Sequence, residues 1–436
     1  TFSLVDVDDR TVLQQRIPVE RTEVSRDSDS RLVSLNSTSP RPAGQRKTLR
    51  ASKNHNWTSI TAGYRCYVEQ PGYYRIRMEI EDQIYSEMPL SVLDGCAIQR
   101  GSFGWTLTDL DLVLNNSNLS ELISRLGVGL VKLPVWVDYR EDTRLDALGR
   151  MIAEFRVNDI ATIGVMDRPL GSIDGTVKED FERLHPSATL SNSRVWFDSV
   201  EPVLTSIGMK LDWLQIGNDV DHSTVGYSTF CKQIDNIRNQ IHAIGQDLKI
   251  AIGRDSREVI EPASLHVQPS TVAWQAIHFT SQPRLTESEL LEEAKKWKSL
   301  GAQTWTSTVP LSATGYSLVQ RVQDFVQQMT AIRRSEVNAA FMNHLFDDEY
   351  GLLDTNHKTG PLLLPWTYLA DATAGRQYIG SIELSNRSEN HIFDGEHGTV
   401  AILWSEQPVT EQVFLGPEIQ VKDIWGRPVP IQPLVY

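Results

Sequence analysis

The sequence LDWLQIGND, residues 211–219, runs from an apolar segment directly into a glycine, an amide and a carboxylate. In a parallel α/β barrel, a strand that ends in this way delivers its last side chains to the face where substrates bind. The segment therefore predicts a strand that ends at Asn218 and Asp219, with Asp219 as a candidate catalytic carboxylate. The competing interpretation is that a strand-end aspartate only caps the helix that follows it.

Seven further apolar segments share this character, and amphipathic helical segments lie between them. Continuous apolar strands with helical crossovers predict a parallel sheet, and a count of eight predicts closure into a (β/α)8 barrel. An open doubly wound sheet is the alternative, but no glycine-rich phosphate-binding motif follows any of these segments. The predicted strands are Phe103–Leu107, Gly129–Trp136, Ile160–Asp167, Trp213–Asp219, Leu248–Asp255, Ala273–Thr280, Gln303–Val309 and Ala339–Asp347.

The regions that flank the barrel show the period-two alternation of antiparallel strands. Residues 1–100 predict a β-rich, sandwich-like region, with an edge strand in its polar first part. Residues 101–375 are assigned to the barrel, and residues 376–436 to a C-terminal β-sandwich that N-terminal strands could complete. The fold class is therefore α/β, a barrel with β-rich additions. The predicted N-terminal strands are 63–68, 72–80 and 88–93.

The composition of the chain excludes several functional classes. Its 436 residues carry a formal charge of −14, which repels phosphate backbones and argues against nucleic acid as a partner. No apolar segment is long enough to span a bilayer, and no signal-like segment opens the chain. Cys66, Cys96 and Cys231 lack a CxxC spacing, which argues against structural zinc. A Cys66–Cys96 disulfide and free buried thiols both stay open, as do the oligomeric state and the compartment, for which a secreted or periplasmic location is favoured.

Only residues at the carboxyl ends of the barrel strands can reach a substrate. Sugars offer apolar C–H faces and hydroxyls, and sites that bind them combine aromatic rings with carboxylates and amides. Hydrolysis of a glycosidic bond requires two flanking carboxyl groups. No cofactor or metal is predicted, because these strand ends show no ligand spacing. The candidate catalytic residues are Asp219, Asp255, Asp347 and Glu349, and the candidate substrate-binding residues are Trp136, Asp138, Asp167, Asn218, His278, Trp305 and Thr308.

The order of these motifs resembles clan A glycoside hydrolases, nearest to family 39 and related β-xylosidase-like proteins, over residues 101–436. QIGND at 215–219 resembles the Asn-Glu signature of the fourth strand, and HF at 278–279 resembles the sixth-strand His–aromatic pair. Lys132 stands where the second strand usually carries an arginine, and FDDEYGLLD at 346–354 resembles the segment after strand eight. The resemblance implies a carbohydrate ligand and, where catalysis is retained, hydrolysis of O-glycosyl bonds.

The sequence departs from the family at both catalytic positions. Asp219 replaces the acid/base glutamate and is one methylene shorter, while Thr308, or alternatively Ser307, stands where the resemblance places the nucleophilic glutamate. A hydroxyl needs a base to activate it before it can act as a nucleophile. One interpretation is an active glycosidase, in which Asp219 is the general acid and another strand-end carboxylate supplies the second group. The other is an inactive barrel that binds a glycan or serves as a structural module.

Overall fold

The chain folds into two compact units, Thr1–Asp94 and Gly95–Tyr436. The structure is a computed structural model, and the residues that it describes are 2–15, 49–54, 57–62, 68–80, 83–93, 98–116, 118–137, 142–167, 193–219, 227–256, 274–281, 283–413 and 419–431. Most of the predicted strand at 63–68, together with Cys66 and Cys96, lies outside these ranges. None of the helices within them combines the length and hydropathy that a bilayer crossing requires.

The first unit is built from antiparallel strands. They are β1 (Phe2–Asp6), β2 (Thr11–Gln15), β3 (Leu49–Asn54), β4 (Trp57–Ala62), β5 (Gly72–Ile80) and β6 (Gln83–Val92). Four of them form a sheet with the order β2-β1-β5-β6, and β3 pairs with β4. β1 therefore lies inside the sheet and β2 forms its edge, whereas the sequence predicted a single edge strand at this end of the chain.

The second unit is built around a closed barrel of eight parallel strands, which confirms the predicted fold class. The strands are β7 (Phe103–Thr106), β8 (Leu130–Pro134), β9 (Ala161–Met166), β10 (Trp213–Ile216), β11 (Lys249–Asp255), β12 (Ala276–Thr280), β13 (Gln303–Thr308) and β14 (Ala339–Met342). Pairing of β14 with β7 closes the ring. β10 and β14 end three and five residues earlier than predicted, at Ile216 and Met342.

Helices follow every barrel strand except β11 in the part of the chain that the structure describes. In the described residues they are α1 (Leu110–Leu114), α2 (Leu119–Arg125), α3 (Asp142–Val157), α4 (Ser193–Ile207), α5 (Tyr227–Ala243), α6 (Glu287–Ser299), α7 (Leu318–Arg334) and α8 (Leu363–Thr373). Thr286 begins α6 with a capping box, in which its hydroxyl accepts from the Glu289 N–H and the Glu289 carboxylate accepts from the Thr286 N–H. This reciprocal pairing satisfies two amides that the first turn leaves without helical partners.

The end of the chain returns to antiparallel structure, in agreement with the predicted β-rich tail. The strands there are β15 (Arg376–Gly380), β16 (Glu389–Gly395) and β17 (Val400–Trp404). They form one sheet with β16 at its centre. Beyond it, Lys422 and Pro428 form an isolated antiparallel bridge.

Large aromatic rings fill the interior of the barrel. The ring centroids of Trp213 and Trp305 lie 5.0 Å apart in an edge-to-face arrangement, and Phe341 packs against Trp305 at 5.8 Å. Small side chains on neighbouring strands leave the volume that the two indoles occupy. The buried residues that complete this layer are Ile163, Ala251, Ala276 and Ala339. The layer forms an apolar floor beneath the polar side chains at the carboxyl end of the barrel.

Candidate functional site

Two glycines place Asp219 at the carboxyl end of the barrel. Gly217 follows the last residue of β10 and turns the chain with a φ of +78°, a left-handed conformation that costs other residues about 1–2 kcal/mol. The next peptide then lies so close to β11 that a Cβ at Gly253 would be 1.7 Å from the Asn218 carbonyl oxygen. Gly253 therefore provides the space into which the Asn218–Asp219 segment folds.

Lys132 holds the Asp219 carboxylate from inside the barrel. Its side chain is fully buried, and its Nζ lies 2.7 Å from Asp219 Oδ1 and 4.4 Å from the centroid of the Phe341 ring. Burial lowers the pKa of Lys132 to about 8, and the Asp219 carboxylate opposes this shift. Lys132 therefore stays protonated at neutral pH and forms an ion pair with Asp219.

The same Asp219 oxygen accepts a second hydrogen bond, from Gln215 Nε2 at 2.8 Å. Burial alone would raise the pKa of this carboxyl, but the positive charge and the donors beside it hold the pKa well below its usual range. The side chain of Asp219 remains 12% exposed. Asp219 is thus an ionised carboxylate that still meets the solvent at the mouth of the barrel.

His278 links the ion pair to a serine hydroxyl. Its Nδ1 contacts Lys132 Nζ and lies 3.4 Å from Asp219 Oδ1, while its Nε2 lies 2.8 Å from Ser307 Oγ. Asn343 Nδ2 donates to the same Oγ at 2.8 Å. Burial lowers the pKa of His278 to about 3, with Asp219 opposing and Lys132 reinforcing the shift. The imidazole is therefore neutral at physiological pH.

We call this group of side chains the barrel-mouth cluster: Lys132, Gln215, Asp219, His278, Ser307 and Asn343. The sequence predicted Asp219 and His278, but it gave no role to Lys132, Gln215 or Asn343, and it named Ser307 only as an alternative to Thr308. A signal for Lys132 and Gln215 was present, because each interrupts an apolar parallel strand. A polar side chain buried at such a position needs a hydrogen-bonding partner.

Other predicted site residues are not members of this cluster, although Lys132 Nζ lies over the Trp305 ring at 5.5 Å from its centroid. Thr308 is fully buried, and its hydroxyl donates to the Phe341 carbonyl at 3.3 Å. Trp305 belongs to the apolar floor and is 1% exposed, and Trp136 is 2% exposed, so both indole rings are covered by protein. These two rings therefore offer no open face to a ligand.

The remaining predicted carboxylates occupy strand ends or loops. Asp255 ends β11 and is buried, and Asp167 follows β9 and is half-buried. Asp347 Oδ1 accepts from the backbone N–H groups of Glu349 and Tyr350, both at 2.8 Å, in a tight turn. The Glu349 carboxylate accepts from the hydroxyls of the 312–314 loop, which lowers its pKa. Asp138 lies outside the described residues.

The single histidine and the single carboxylate of the cluster do not form a metal site. In the parts of the chain that the structure describes, no three or more His, Cys, Asp or Glu side chains are grouped to hold a metal ion. In addition, the Lys132 ammonium occupies the position between Asp219 and His278 that a cation would need. The cluster therefore offers hydrogen bonds and one compensated charge pair.

Several solved structures share part of this architecture. SrfJ from Salmonella typhimurium is 13% identical with a TM-score of 0.48, over 74% of this chain and 89% of SrfJ. The virulence factor SghA from Agrobacterium tumefaciens is 9% identical with a TM-score of 0.43, over 62% of this chain and 97% of SghA. The β-glycosidase BGL167 is 11% identical with a TM-score of 0.43, over 65% and 99% of the two chains.

No protein-family model matches the sequence, and no curated protein matches it. The barrel is evident from the chain's own strands, because each of the eight is hydrogen-bonded to a parallel strand on both sides.

Proposed function

We propose that this chain is a glycosidase-like barrel that binds a neutral carbohydrate at the barrel-mouth cluster and does not hydrolyse it by paired carboxylates. The observation that carries the proposal is the 2.7 Å ion pair between the buried Lys132 and Asp219. The kinship with family 39 and the replacement of its two glutamates rest on the sequence motifs alone, and they belong to this proposal.

Asp219 is poorly suited to the role of general acid. A glycosidase acid must hold its proton near neutral pH, and enzymes achieve this by raising the pKa of that carboxyl. Here Lys132 and Gln215 act in the opposite direction, because both donate to the ionised form of Asp219. An ionised Asp219 is instead a strong acceptor for a ligand hydroxyl.

The position of the nucleophile supports the same conclusion. Ser307, at the end of the seventh barrel strand, presents a hydroxyl to the mouth where the resemblance implies a glutamate. A hydroxyl cannot form a glycosyl intermediate without a base, and the neutral His278 beside it already contacts an ammonium at Nδ1. Asp347 and Glu349 direct their carboxylates into loop hydrogen bonds, so neither completes a pair with Asp219 in this arrangement.

The groups that remain suit a polyol. Asp219 and Ser307 offer an acceptor and a hydroxyl on either side of one imidazole, and both are partly exposed. A few such convergent polar groups over an apolar floor are typical of small-molecule sites. The formal charge of −14 disfavours anionic ligands through long-range repulsion. A neutral sugar fits these constraints.

The proposal is tested by calorimetric titration of neutral mono- and oligosaccharides, together with a panel of aryl glycosides as substrates. We expect at least one sugar to bind, no aryl glycoside to turn over, and Ser307→Ala to weaken binding about tenfold, the value of one hydrogen bond to a ligand. Asp348→Asn, in an exposed loop, is the matched control and should bind as the wild type does. Failure of every sugar to bind would overturn the proposal.

A second candidate function is hydrolysis by Asp219 and Asp255. β10 and β11 pair in parallel register, with Ile216 opposite Ile252, and the turn after β10 places the Asn218–Asp219 segment against Gly253, two residues before Asp255. Ala251 lies in the barrel interior, and strand alternation places Asp255 on the same face. Aryl glycoside turnover that Asp255→Asn abolishes would favour this candidate over binding alone.

A further inference from the structure

The contact between Lys132 and His278 fixes the position of the imidazole proton. A lysine ammonium has three donors and no acceptor, so a ring nitrogen beside it must accept. Lys132 Nζ contacts His278 Nδ1, and the pKa of His278 is lowered to about 3 by burial, which keeps the ring neutral. A neutral imidazole has one proton, so that proton must be on Nε2.

The proton on Nε2 determines what Ser307 can do. Nε2 lies 2.8 Å from Ser307 Oγ and donates to it, and Asn343 Nδ2 donates to the same oxygen from 2.8 Å. A serine hydroxyl has two acceptor positions and one donor. Because both acceptor positions of Ser307 Oγ are occupied, the only hydrogen bond that Ser307 can still make to a ligand is one that its own O–H donates.

Asp219 is a hydrogen-bond acceptor, whereas Ser307 is a donor. Within the described ranges, its hydrogen bonds and ion pairs all reach Oδ1, and the ionised group has no proton to donate. Oδ2 is therefore the oxygen of Asp219 that can accept a hydrogen bond from a ligand. The two sides of His278 thus present a donor at Ser307 and an acceptor at Asp219.

We propose that Lys132 is a positioning residue that acts through His278 to make Ser307 a hydrogen-bond donor, so that the bound carbohydrate must present an acceptor oxygen to Ser307 and a hydroxyl proton to Asp219. The ligand half of this proposal rests on the proposed carbohydrate binding, whereas the effect of Lys132 on His278 is independent of any ligand. The arrangement also removes His278 as a base for Ser307, since its Nε2 already holds the proton.

The first test is nuclear magnetic resonance of the ligand-free full chain with ¹⁵N-labelled histidine. The chain has 10 histidines, and the signal that disappears in His278→Gln assigns the ring. We expect His278 to hold its proton on Nε2 from pH 5 to pH 7.5. A proton on Nδ1, an even mixture of tautomers or a charged ring would overturn the proposal.

Substitutions at position 132 separate the effect of Lys132 from burial alone. Lys132→Arg retains a group that only donates, so the Nε2 tautomer should persist. Lys132→Gln introduces an amide that can also accept, so both tautomers should become populated. An unchanged tautomer in a folded Lys132→Gln variant would contradict the role of Lys132, and the wild-type spectrum decides the tautomer itself if that variant does not fold.

The second test uses analogues of a sugar that binds, each modified at one hydroxyl. Methylation keeps an acceptor oxygen but removes the proton, so the hydroxyl that faces Ser307 should tolerate it and the hydroxyl that faces Asp219 should not. We expect a difference of about tenfold in affinity between the two positions. At the hydroxyl that faces Ser307, the wild type should bind the methyl ether more tightly than the deoxy sugar, and Ser307→Ala should abolish this difference in affinity.

The two proposals fail in different ways. If no sugar binds while His278 holds its proton on Nε2, the proposed function is wrong and the assignment of Lys132 stands. If a sugar binds but every hydroxyl tolerates methylation equally, the polarity of Ser307 and Asp219 is wrong and carbohydrate binding stands. Asn343→Asp provides an internal check, because its carboxylate would take the Ser307 proton and should weaken binding as strongly as Ser307→Ala.

Discussion

Lys132 and Asp219 form a charge pair in which each residue compensates the burial of the other. Lys132 is fully buried and Asp219 is 12% exposed, so water can solvate only the carboxylate. Removal of one partner from a buried pair leaves an uncompensated charge, whereas removal of both does not. The stability of the barrel therefore depends on the pair being complete.

We expect Asp219→Asn to lower the free energy of unfolding by about 3–5 kcal/mol, since it leaves the Lys132 ammonium buried without an anion. The double variant Lys132→Met, Asp219→Asn should regain a large part of this loss, because the buried charge is gone. Urea unfolding of the wild type, both single variants and the double variant measures the coupling. Additive losses in the double variant would show that the ion pair is unimportant.

The pH dependence of stability follows from His278. Its pKa is about 3 in the folded protein and 6.5 when unperturbed. Between these two values the imidazole is protonated in the unfolded chain and neutral in the folded protein. The free energy of unfolding should fall by about 1.4 kcal/mol per pH unit from this residue between pH 6.5 and pH 3. Asp219 adds to the loss at lower pH, because its stabilising effect is present above its ordinary pKa of 3.8 and disappears as the carboxylate is protonated.

Urea unfolding at pH 7, 6, 5 and 4 measures this slope, and His278→Gln provides the comparison. The slope of the variant should be shallower by the contribution of one proton, while other histidines, such as the buried His391, contribute equally to both proteins. Identical slopes in the two proteins would contradict the assignment of a neutral, buried His278.

At this scale the sequence singled out Asp219, which follows β10, and His278, which lies within β12, because the apolar character of both strands was clear. Their roles at a site stay predictions. Ser307 and Thr308 were not separated, since a shift of one residue in a strand moves a side chain to the opposite face. Lys132 needed the closed barrel, because its partners Asp219 and His278 belong to other strands. Gln215 needed the turn after β10, which brings Asp219 back to its side-chain amide.

The approach between β10 and β11 is the decisive feature among the elements. Gly217 turns the chain and Gly253 leaves space for the Asn218 carbonyl, and together they determine where Asp219 lies. The close contact is with backbone, which cannot rotate away as a side chain can. A side chain at Gly253 would therefore require the backbone of the Asn218–Asp219 segment to move.

We expect Gly253→Ala to displace the Asn218–Asp219 segment and to disrupt the ion pair, because its Cβ would lie 1.7 Å from the Asn218 oxygen. Thermal unfolding should show a loss of several degrees, and sugar binding should be lost with it. Gly315→Ala is the matched control, since its Cβ would come no closer than 3.8 Å to the nearest atom, Ser312 Oγ. Wild-type stability and binding in Gly253→Ala would show that the segment is not held by this contact.

The order and type of the barrel strands were predicted correctly, because parallel strands in a closed barrel are buried on both faces and read as continuous apolar segments. α4 is harder to recognise in the sequence, because Pro202 inside it interrupts the usual helical pattern. β16 is hard to recognise as well, because its sequence ENHIFDG has two strongly apolar residues. Hydrogen bonds to the neighbouring strands on both sides stabilise β16 as a strand, although its composition alone does not indicate one.

At the level of the whole molecule, the chain divides at about residue 94 into two compact units. The second unit contains the closed barrel, the barrel-mouth cluster and the C-terminal sheet. The sequence predicted three regions, 1–100, 101–375 and 376–436, and this division stays a prediction. Each unit contains its own hydrogen-bonded sheets, so we expect the larger one to fold by itself.

Residues 95–436 expressed alone should give a soluble protein with one cooperative thermal transition and with the His278 tautomer of the full chain. The reason is that every residue of the barrel-mouth cluster and of the apolar floor lies within this fragment. A fragment that is unfolded, or folded with an altered His278 signal, would show that the first unit is required for the barrel.

A cation enclosed within the barrel also has a consequence for ionic strength. Because Lys132 already balances Asp219, a neutral ligand meets a charge pair that is compensated within the barrel, although the protein as a whole carries −14. Raising salt from 0.01 M to 1 M shortens the Debye length from about 30 Å to about 3 Å, yet the affinity for such a ligand should stay constant over that range. Titration in both buffers measures this, and a marked dependence would mean that the balance between the two side chains is incomplete.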